Sequence, residues 1–349
     1  MNQQELQHVL EGILIEPDNT LTLGQVRAVK NITDSTIQIE LPYACSSQHA
    51  DLKTRIHAAI GTSFEINITT RIVAHMVQAG LSVLPNVKNV IAVASGKGGV
   101  GKSTTAVNIA LALAYEGAKI GLLDADIYGP SVPLLLNLSG KPELDVSEKM
   151  IPHTRYGVEA NSIGFLIDVD SPAAWRGPMV SQALQQLFNQ TAWGDLDYLI
   201  IDMPPGTGDI QLTLSQKIPV TGAVIVTTPQ DLALLDARKG LKMFEKTNVP
   251  VLGIVENMAL HICSNCGHEE AIFGQGGAAK MSTDFGVTLL GQLPLSIDIR
   301  TAADSGQPSV AADANSAHAQ HYRSITRKMS AAVALLPKDL SHKFKVTTV

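Results

Sequence analysis

The chain has 349 residues, 45% of them hydrophobic and only 17% charged, the composition of a folded globular protein with material for about two domains. A formal net charge of −6 removes any global pull toward nucleic acid, and no run of about 18 apolar residues is available to span a membrane. Three cysteines do not make a disulfide framework, and "MNQQELQHVL" has no signal-like pattern, so a cytoplasmic protein with metal or redox thiols is expected.

Taken in chain order, "QVRAVKNITDSTIQIELPY" alternates at Ile37, Ile39 and Leu41, the period of a strand with one buried face. "HADLKTRIHAAIGT" and "TTRIVAHMVQAG" both carry helical spacing. Together they predict a small α+β domain over residues 1–84, with "LSVLPNVKN" as the linker around Pro85. From residue 85 the pattern changes to short, nearly unbroken apolar runs: "NVIAVAS", "IGLLDAD", "LDYLIID", "GAVIVTT", "VLGIVEN" and "VTLLGQL". Strands that are hydrophobic on both faces belong to a parallel sheet covered by helices. Residues 85–349 therefore read as an α/β domain with a doubly wound, mostly parallel sheet. At its end, "HYRSITRKMSAAVALLPK" lines up Ile325, Met329, Val333 and Leu336, which predicts a terminal helix packed on its own domain.

Between the first of these strands and the next helix stands "SGKGGVGKSTT", whose residues 96–103 match the P-loop pattern G-x-x-x-x-G-K-[ST]. Gly96, Gly98, Gly99 and Gly101 let the backbone curl so that its N–H groups, including that of Val100, face phosphate oxygens. Lys102 supplies a point charge for the β- and γ-phosphates, and Ser103 a hydroxyl for Mg²⁺. The helix beginning at Lys102, with Thr104 in its first turn, adds a positive N-terminal dipole. Two further strands end in carboxylates: Asp202 in "DYLIIDMPPGTGD", and Asp124 and Asp126 in "IGLLDADIYGPS". Ligands bind at that edge of open α/β sheets, so Asp202 is expected at Mg²⁺, and of Asp124 and Asp126 one is expected in the metal shell while the other positions the attacking water.

Farther on, "HICSNCGH" presents Cys263 and Cys266 as C-x-x-C in a polar, glycine-containing stretch. Read from the residues alone, the pair allows three roles: a zinc knuckle completed by His261 and His268, a thioredoxin-like redox pair, or a structural feature.

The loop "GKGGVGKST" resembles the deviant Walker A loop shared by MinD/ParA-type ATPases, the nitrogenase iron-protein family and Mrp/ApbC-type iron–sulfur cluster carriers. The last of these is the nearest resemblance. It is carried by "LPNVKNVIAVASGKGGVGKST", "LLDADIYGPSVPLLL", "WRGPMV", "DYLIIDMPPGTGD", "VTTPQDLALLDARKG", "VENM" followed by "CSNCG", and "GQLPLSIDIRTAADSGQP", over roughly residues 85–315. The N-terminal segment resembles the MIP18-like domain that some of these carriers bear, although Ser46 follows Cys45 where that domain often has proline. Cys45 is therefore expected to be a buried or idle cysteine.

The resemblance implies that Lys97 is the signature lysine reaching the nucleotide of a second subunit, that Asp126 activates water, and that Asn257 contacts adenine. It implies ATP and Mg²⁺ as ligands, ATPase activity, and a homodimer. Two C-x-x-C pairs meeting across a two-fold axis supply four thiolates, enough for one [4Fe–4S] cluster bridged between the subunits. The implied function is an iron–sulfur cluster carrier that receives its cluster from donor proteins and hands it to apo-proteins, without binding nucleic acid or membrane. The alternative is a MinD/ParA-like partitioning or positioning ATPase, which would co-sediment with DNA or liposomes in ATP. A nitrogenase-type reductase fits less well, because that family's cluster cysteines lie far apart in sequence.

Overall fold

The computed structural model describes residues 2–17, 20–166, 177–263 and 265–339. Near the N-terminus, β1 (Val29–Ile32), β2 (Thr36–Leu41) and β3 (Glu65–Thr70) form a three-stranded sheet in that order. β1 and β2 pair antiparallel, whereas β2 and β3 are parallel because the helix His49–Ile60 crosses between them. The alternation seen in sequence is the packing: Ile37, Ile39 and Leu41 are buried with Leu6 and Leu10 of the helix Gln3–Glu11 and with Leu52 and Ile56 of the crossover helix.

"TTRIVAHMVQAG" is not helical. Thr69 and Thr70 finish β3, and residues 71–77 run extended as a strap along the larger part of the molecule before a turn at 78–80. The β-branched cluster Thr69, Thr70, Ile72 and Val73 disfavours a helix, and the extended backbone finds partners elsewhere. The Val73 carbonyl accepts from the Asn89 amide at 3.0 Å, and the Met76 N–H donates to the Pro337 carbonyl at 2.9 Å. Gln78 is buried on the helix Asp209–Lys217 and the residues after it, donating to the Ser215 carbonyl at 2.7 Å and accepting from the Val220 N–H at 2.8 Å.

The larger sheet contains β4 (Val87–Ala94), β5 (Ile120–Asp124), β6 (His153–Arg155), β7 (Val158–Ser162), β8 (Leu196–Asp202), β9 (Gly222–Thr227) and β10 (Val251–Glu256). A small hairpin, β11 (His261–Ile262) with β12 (Glu269–Glu270), precedes the last sheet strand, β13 (Leu289–Gln292). The eight-stranded order is β13-β10-β9-β4-β8-β5-β7-β6, parallel throughout except for the β6–β7 pair at the edge.

Six of these strands are the six apolar runs; β6 and β7 carry no such run and were not among them. Ile91 and Val93 of β4 face a core shared with the P-loop helix Lys102–Tyr115 and the C-terminal helix Ala317–Ala334. Val90, Ala92 and Ala94 face the other core, against the helices Gly177–Gln190 and Asp231–Lys246. This is an α/β sheet covered on both faces. The C-terminal helix packs back as its periodicity predicts, with Ile325, Met329 and Val333 buried and Leu336 packed beside them. No helix among the described residues is long and apolar enough to cross a membrane.

Candidate functional site

Because neighbouring strands are parallel, β4, β5, β8 and β10 deliver their C-terminal ends to one edge. In the segment after β4, Gly99 and Gly101 both sit at φ near +80°, a left-handed conformation that glycine adopts without steric cost. Gly101 directly precedes the helix Lys102–Tyr115, so the loop's N–H groups and the helix dipole share one focus. Gly96 is required for a different reason: a Cβ there would collide with the backbone of Asp236 and Ala237. Ser95 steadies the loop by donating its hydroxyl to the Lys97 carbonyl at 2.9 Å. Val100 is buried, Thr104 is half-buried, and Lys97 is partly exposed with no ion-pair partner among the described residues.

Lys102 is buried and its ammonium bonds to Asp202 and to Ser103 Oγ (3.1 Å), with Asp126 3.8 Å away. Asp202 is fully buried at the end of β8, and its register partner at the end of β5 is Asp124. Burial pushes the carboxyls of Asp126 and Asp202 up, and the Lys102 ammonium works against that in both.

One oxygen of each, Asp126 Oδ1 and Asp202 Oδ2, is buried with no hydrogen-bond partner among the described residues. Two carboxylate oxygens lacking donors, beside the Ser103 hydroxyl, form a hard oxygen set that suits Mg²⁺. Asp124 departs from the magnesium expectation because both of its oxygens already accept. Oδ1 takes the Asp126 N–H at 3.1 Å, and Oδ2 takes the Val132 N–H and the Ser162 hydroxyl, both at 3.0 Å. Its neighbours make it the anchor of the loop bearing Asp126.

Asn257 follows β10 and is buried beneath the P-loop. Its amide donates to the Val100 carbonyl at 2.9 Å and its oxygen accepts from the Met258 N–H at 3.0 Å. A Cβ at Gly101 would strike that amide, so Asn257 and Gly101 are shaped to one another. In this arrangement Asn257 braces the phosphate loop; contact with adenine remains an expectation from the resemblance.

A few residues beyond Asn257 the chain enters the β11–β12 hairpin, with Cys263 and Cys266 in its tip. The Cys263 N–H donates to the His268 carbonyl and the Gly267 N–H to the Cys263 carbonyl, both at 2.9 Å, with Gly267 at φ 71° closing the turn. The backbone N–H groups of Cys266 and Asn265 are directed at the Cys263 sulfur and hold its thiol below the usual range, favouring the thiolate. This tip is a turn built to present sulfur.

His261 is not part of it: its Nδ1 hydrogen-bonds the Leu295 carbonyl at 3.1 Å, on the side that anchors the hairpin. His268 is exposed. No group of three His, Cys, Asp or Glu side chains capable of holding a metal gathers here or elsewhere among the described residues. Cys45, in contrast, is buried in the N-terminal core, and burial drives its thiol pKa up.

Sequence reasoning missed Ser162, which steadies Asp124, and Gln211, which is buried behind the 203–208 loop. For Gln211 a signal existed: a glycine followed three residues later by glutamine opens the helix after "PPGTG". Of "WRGPMV", Trp175 and Arg176 lie outside the described residues.

Residues 86–330 match the family described as "ParA: NUBPL iron-transfer P-loop NTPase". An "iron-sulfur cluster carrier protein" of Pseudomonas fragi is 59% identical over 266 residues, which span 76% of this chain and 93% of that one. A protein of the same description from Haemophilus influenzae is 50% identical over 334 residues, spanning 93% of this chain and 90% of its own. The mouse "iron-sulfur cluster transfer protein NUBPL" is 52% identical over 248 residues, 70% of this chain and 78% of that one.

Among solved structures, a nucleotide-binding protein from Archaeoglobus fulgidus in complex with ADP superposes with a TM-score of 0.57. It is 39% identical, over 64% of this chain and 88% of its own. The cell division ATPase MinD of Pyrococcus furiosus shares the fold, with a TM-score of 0.53 at 21% identity, over 69% of this chain and 98% of that one.

Proposed function

Since the chain belongs to the NUBPL-type iron-transfer P-loop NTPase family, we propose that it is an ATP-dependent iron–sulfur cluster carrier working as a homodimer. The observation that carries this reading is the hairpin tip. Two cysteines are presented outward on a sulfur-binding turn, and no further ligand of the chain stands ready to complete a metal site among the described residues. The missing pair is then Cys263 and Cys266 of a second copy, and the cargo a [4Fe–4S] cluster held at the two-fold axis. A cluster shared between two exposed loops can be received from a donor and released to an apo-protein.

The nucleotide site supplies the control. Gly96 to Thr104 cradle the phosphates of ATP, and Lys102 leaves its carboxylate partners for them. Lys97, which has no ion-pair partner among the described residues, reaches the partner's nucleotide. Mg²⁺ held by Ser103 and Asp202 would neutralise phosphate charge; Asp126 accepts the proton of the attacking water. Asn257 joins the two sites, since it grips the Val100 carbonyl and begins the segment that leads to Cys263.

Anaerobic reconstitution with iron and sulfide tests the whole. About four irons per dimer are expected, lost in Cys263→Ala and Cys266→Ala, with transfer to an apo-protein no longer responding to ATP in Lys102→Ala. Tight zinc in a monomer would refute the bridge, and transfer that is identical in Lys102→Ala would refute the nucleotide control.

A further inference from the structure

The loop 203–208, between Asp202 and the helix Asp209–Lys217, faces the P-loop directly. The Met203 N–H donates to the Val93 carbonyl and the Gly206 N–H to the Ser95 carbonyl, both at 3.0 Å, tying the loop to the strand and the residue that precede Gly96. Gln211 stands behind it at 2% exposure, its amide nitrogen donating to the Pro204 carbonyl. Because that contact fixes which end of the amide is nitrogen, the other end is the oxygen, and Oε1 is buried with no partner among the described residues. Buried polar atoms in native folds are nearly always paired, so one left over beside a nucleotide loop asks for a second state.

A complementary donor lies three residues upstream, on the exposed Gly208. Gly208 is the N-cap of the helix, extended at φ −82° and ψ −175°, and its N–H has no partner among the described residues. A glutamine three residues after the N-cap is placed to accept the N-cap N–H, one half of a capping box. Here that bond is unmade. Gly206, at φ +100°, turns its Cα face toward the waiting oxygen, and a Cβ built on it would stand 3.8 Å from Oε1. Nothing bulky therefore separates the loop from its acceptor.

We propose that Gln211 is a positioning residue for the nucleotide reaction: anchored on Pro204 by its nitrogen, it takes the Gly208 N–H on its oxygen when phosphate on the P-loop draws the loop in. The bond pairs the one buried orphan, Oε1, with an N–H otherwise left to solvent, and because the side chain is already held at its other end, little rotamer freedom is lost in forming it. The closed loop sets the backbone beside Asp202 and Asp126 without Gln211 touching the nucleotide. The inference rests on the proposed ATPase reading for its rate effect, but not for the hydrogen bond itself.

The test pairs hydrogen exchange at the Gly208 amide with steady-state kinetics in the full chain. Mg-ATP is expected to slow Gly208 exchange about fivefold or more in the natural protein, and Gln211→Leu to abolish that slowing. The same variant should lower kcat about tenfold with KM for ATP changed by less than about twofold, the signature of an interaction made on the way to the transition state. Gln211→Glu, which keeps an acceptor but loses the donor to the Pro204 carbonyl, should retain only part of the slowing.

Unchanged Gly208 exchange in the nucleotide-bound protein would overturn the proposal. So would a Gln211→Leu enzyme whose losses appear only as a raised KM and a lowered Tm. Slowed Gly208 exchange in a protein that binds ATP without hydrolysing it would uphold the Gln211 clasp while overturning the ATPase reading.

Discussion

At the scale of single residues, the three cysteines differ by environment rather than by sequence context. Cys45 is buried and its Sγ contacts the Tyr43 carbonyl at 3.4 Å. Burial first, then the nearby carboxylates of Glu16 and Glu116, push its thiol up, against a smaller opposing pull from Arg327. Cys263 is the opposite case, its thiolate favoured by two backbone N–H groups. Iodoacetamide labelling of the cluster-free, folded protein followed by peptide mass spectrometry should therefore modify Cys263 and Cys266 and leave Cys45 untouched until denaturant is added. Labelling of Cys45 in the native state at a rate like that of Cys263 would contradict this. The serines after Cys45 have their own use: Ser47 donates its N–H (2.9 Å) and hydroxyl (2.7 Å) to Glu116. Ser46, at the position where proline would follow, donates its N–H to the Glu116 carbonyl at 3.4 Å, a bond that proline could not make.

At the scale of elements, the register of β5 against β8 places Asp124 opposite Asp202, both fully buried. Burial, with the neighbouring Asp202 adding to it, pushes the Asp124 carboxyl up to about 7. A carboxyl raised in the folded state binds its proton more tightly there than in the unfolded chain. Its contribution to stability is therefore complete below the ordinary value of 3.8 and is lost as pH rises through about 7. The nucleotide-free protein should accordingly show a Tm that falls between about pH 4 and 7 and levels off above that, and Asp124→Asn should flatten that slope. The variant should also start lower, because the NH₂ of an amide cannot accept a backbone N–H, whereas both carboxyl oxygens of Asp124 do, one from Asp126 and one from Val132. A slope identical in the two proteins would exclude Asp124 as its source.

The same elements show what a sequence discloses. β4, β5, β8, β9, β10 and β13 are legible because burial on both faces writes an unbroken apolar run, and the P-loop because its glycines and lysine answer to phosphate chemistry. β6 and β7 are short and hold His153, Arg155, Glu159 and Asn161, so no run marks them. The segment 69–80 has helical spacing locally, but its hydrogen bonds are made to residues as distant as Asn89, Ser215 and Pro337. No local pattern records such partners. The half-satisfied state of Gln211 and the bracing role of Asn257 likewise depend on what folds against them.

At the scale of the whole molecule, the N-terminal lobe is fastened to the nucleotide-binding part by a buried set of charges. Arg327, on the C-terminal helix, donates to Glu16 at 2.6 Å and to Glu116 at 3.1 Å, with Arg323 3.5 Å from Glu116 and the Tyr43 hydroxyl 3.0 Å from Glu16. Glu116 is also the residue that closes the P-loop helix, so the fastening acts on the far end of the element whose near end holds Lys102. Removing one member of a buried ion pair strands the others, and Arg327→Met should cost about 3–5 kcal/mol in denaturant unfolding. Adding Glu16→Gln removes the charge left without an ion-pair partner among the described residues, while Glu116 keeps Arg323, and should restore a large part of that loss. Failure of the double variant to recover any stability would mean that Arg327 contributes by packing its stem and not by its charge.

The shape of the transition carries the architectural answer. Ala331 of the C-terminal helix belongs to the core of the N-terminal lobe, beside Cys45 and Ile56, so the lobe's own core is completed by the larger part of the molecule. Arg327→Met is therefore expected to shift one cooperative transition rather than split it. Two separate transitions, the first melting residues before the strap, would instead establish a lobe that folds on its own and is merely held in place by Arg327.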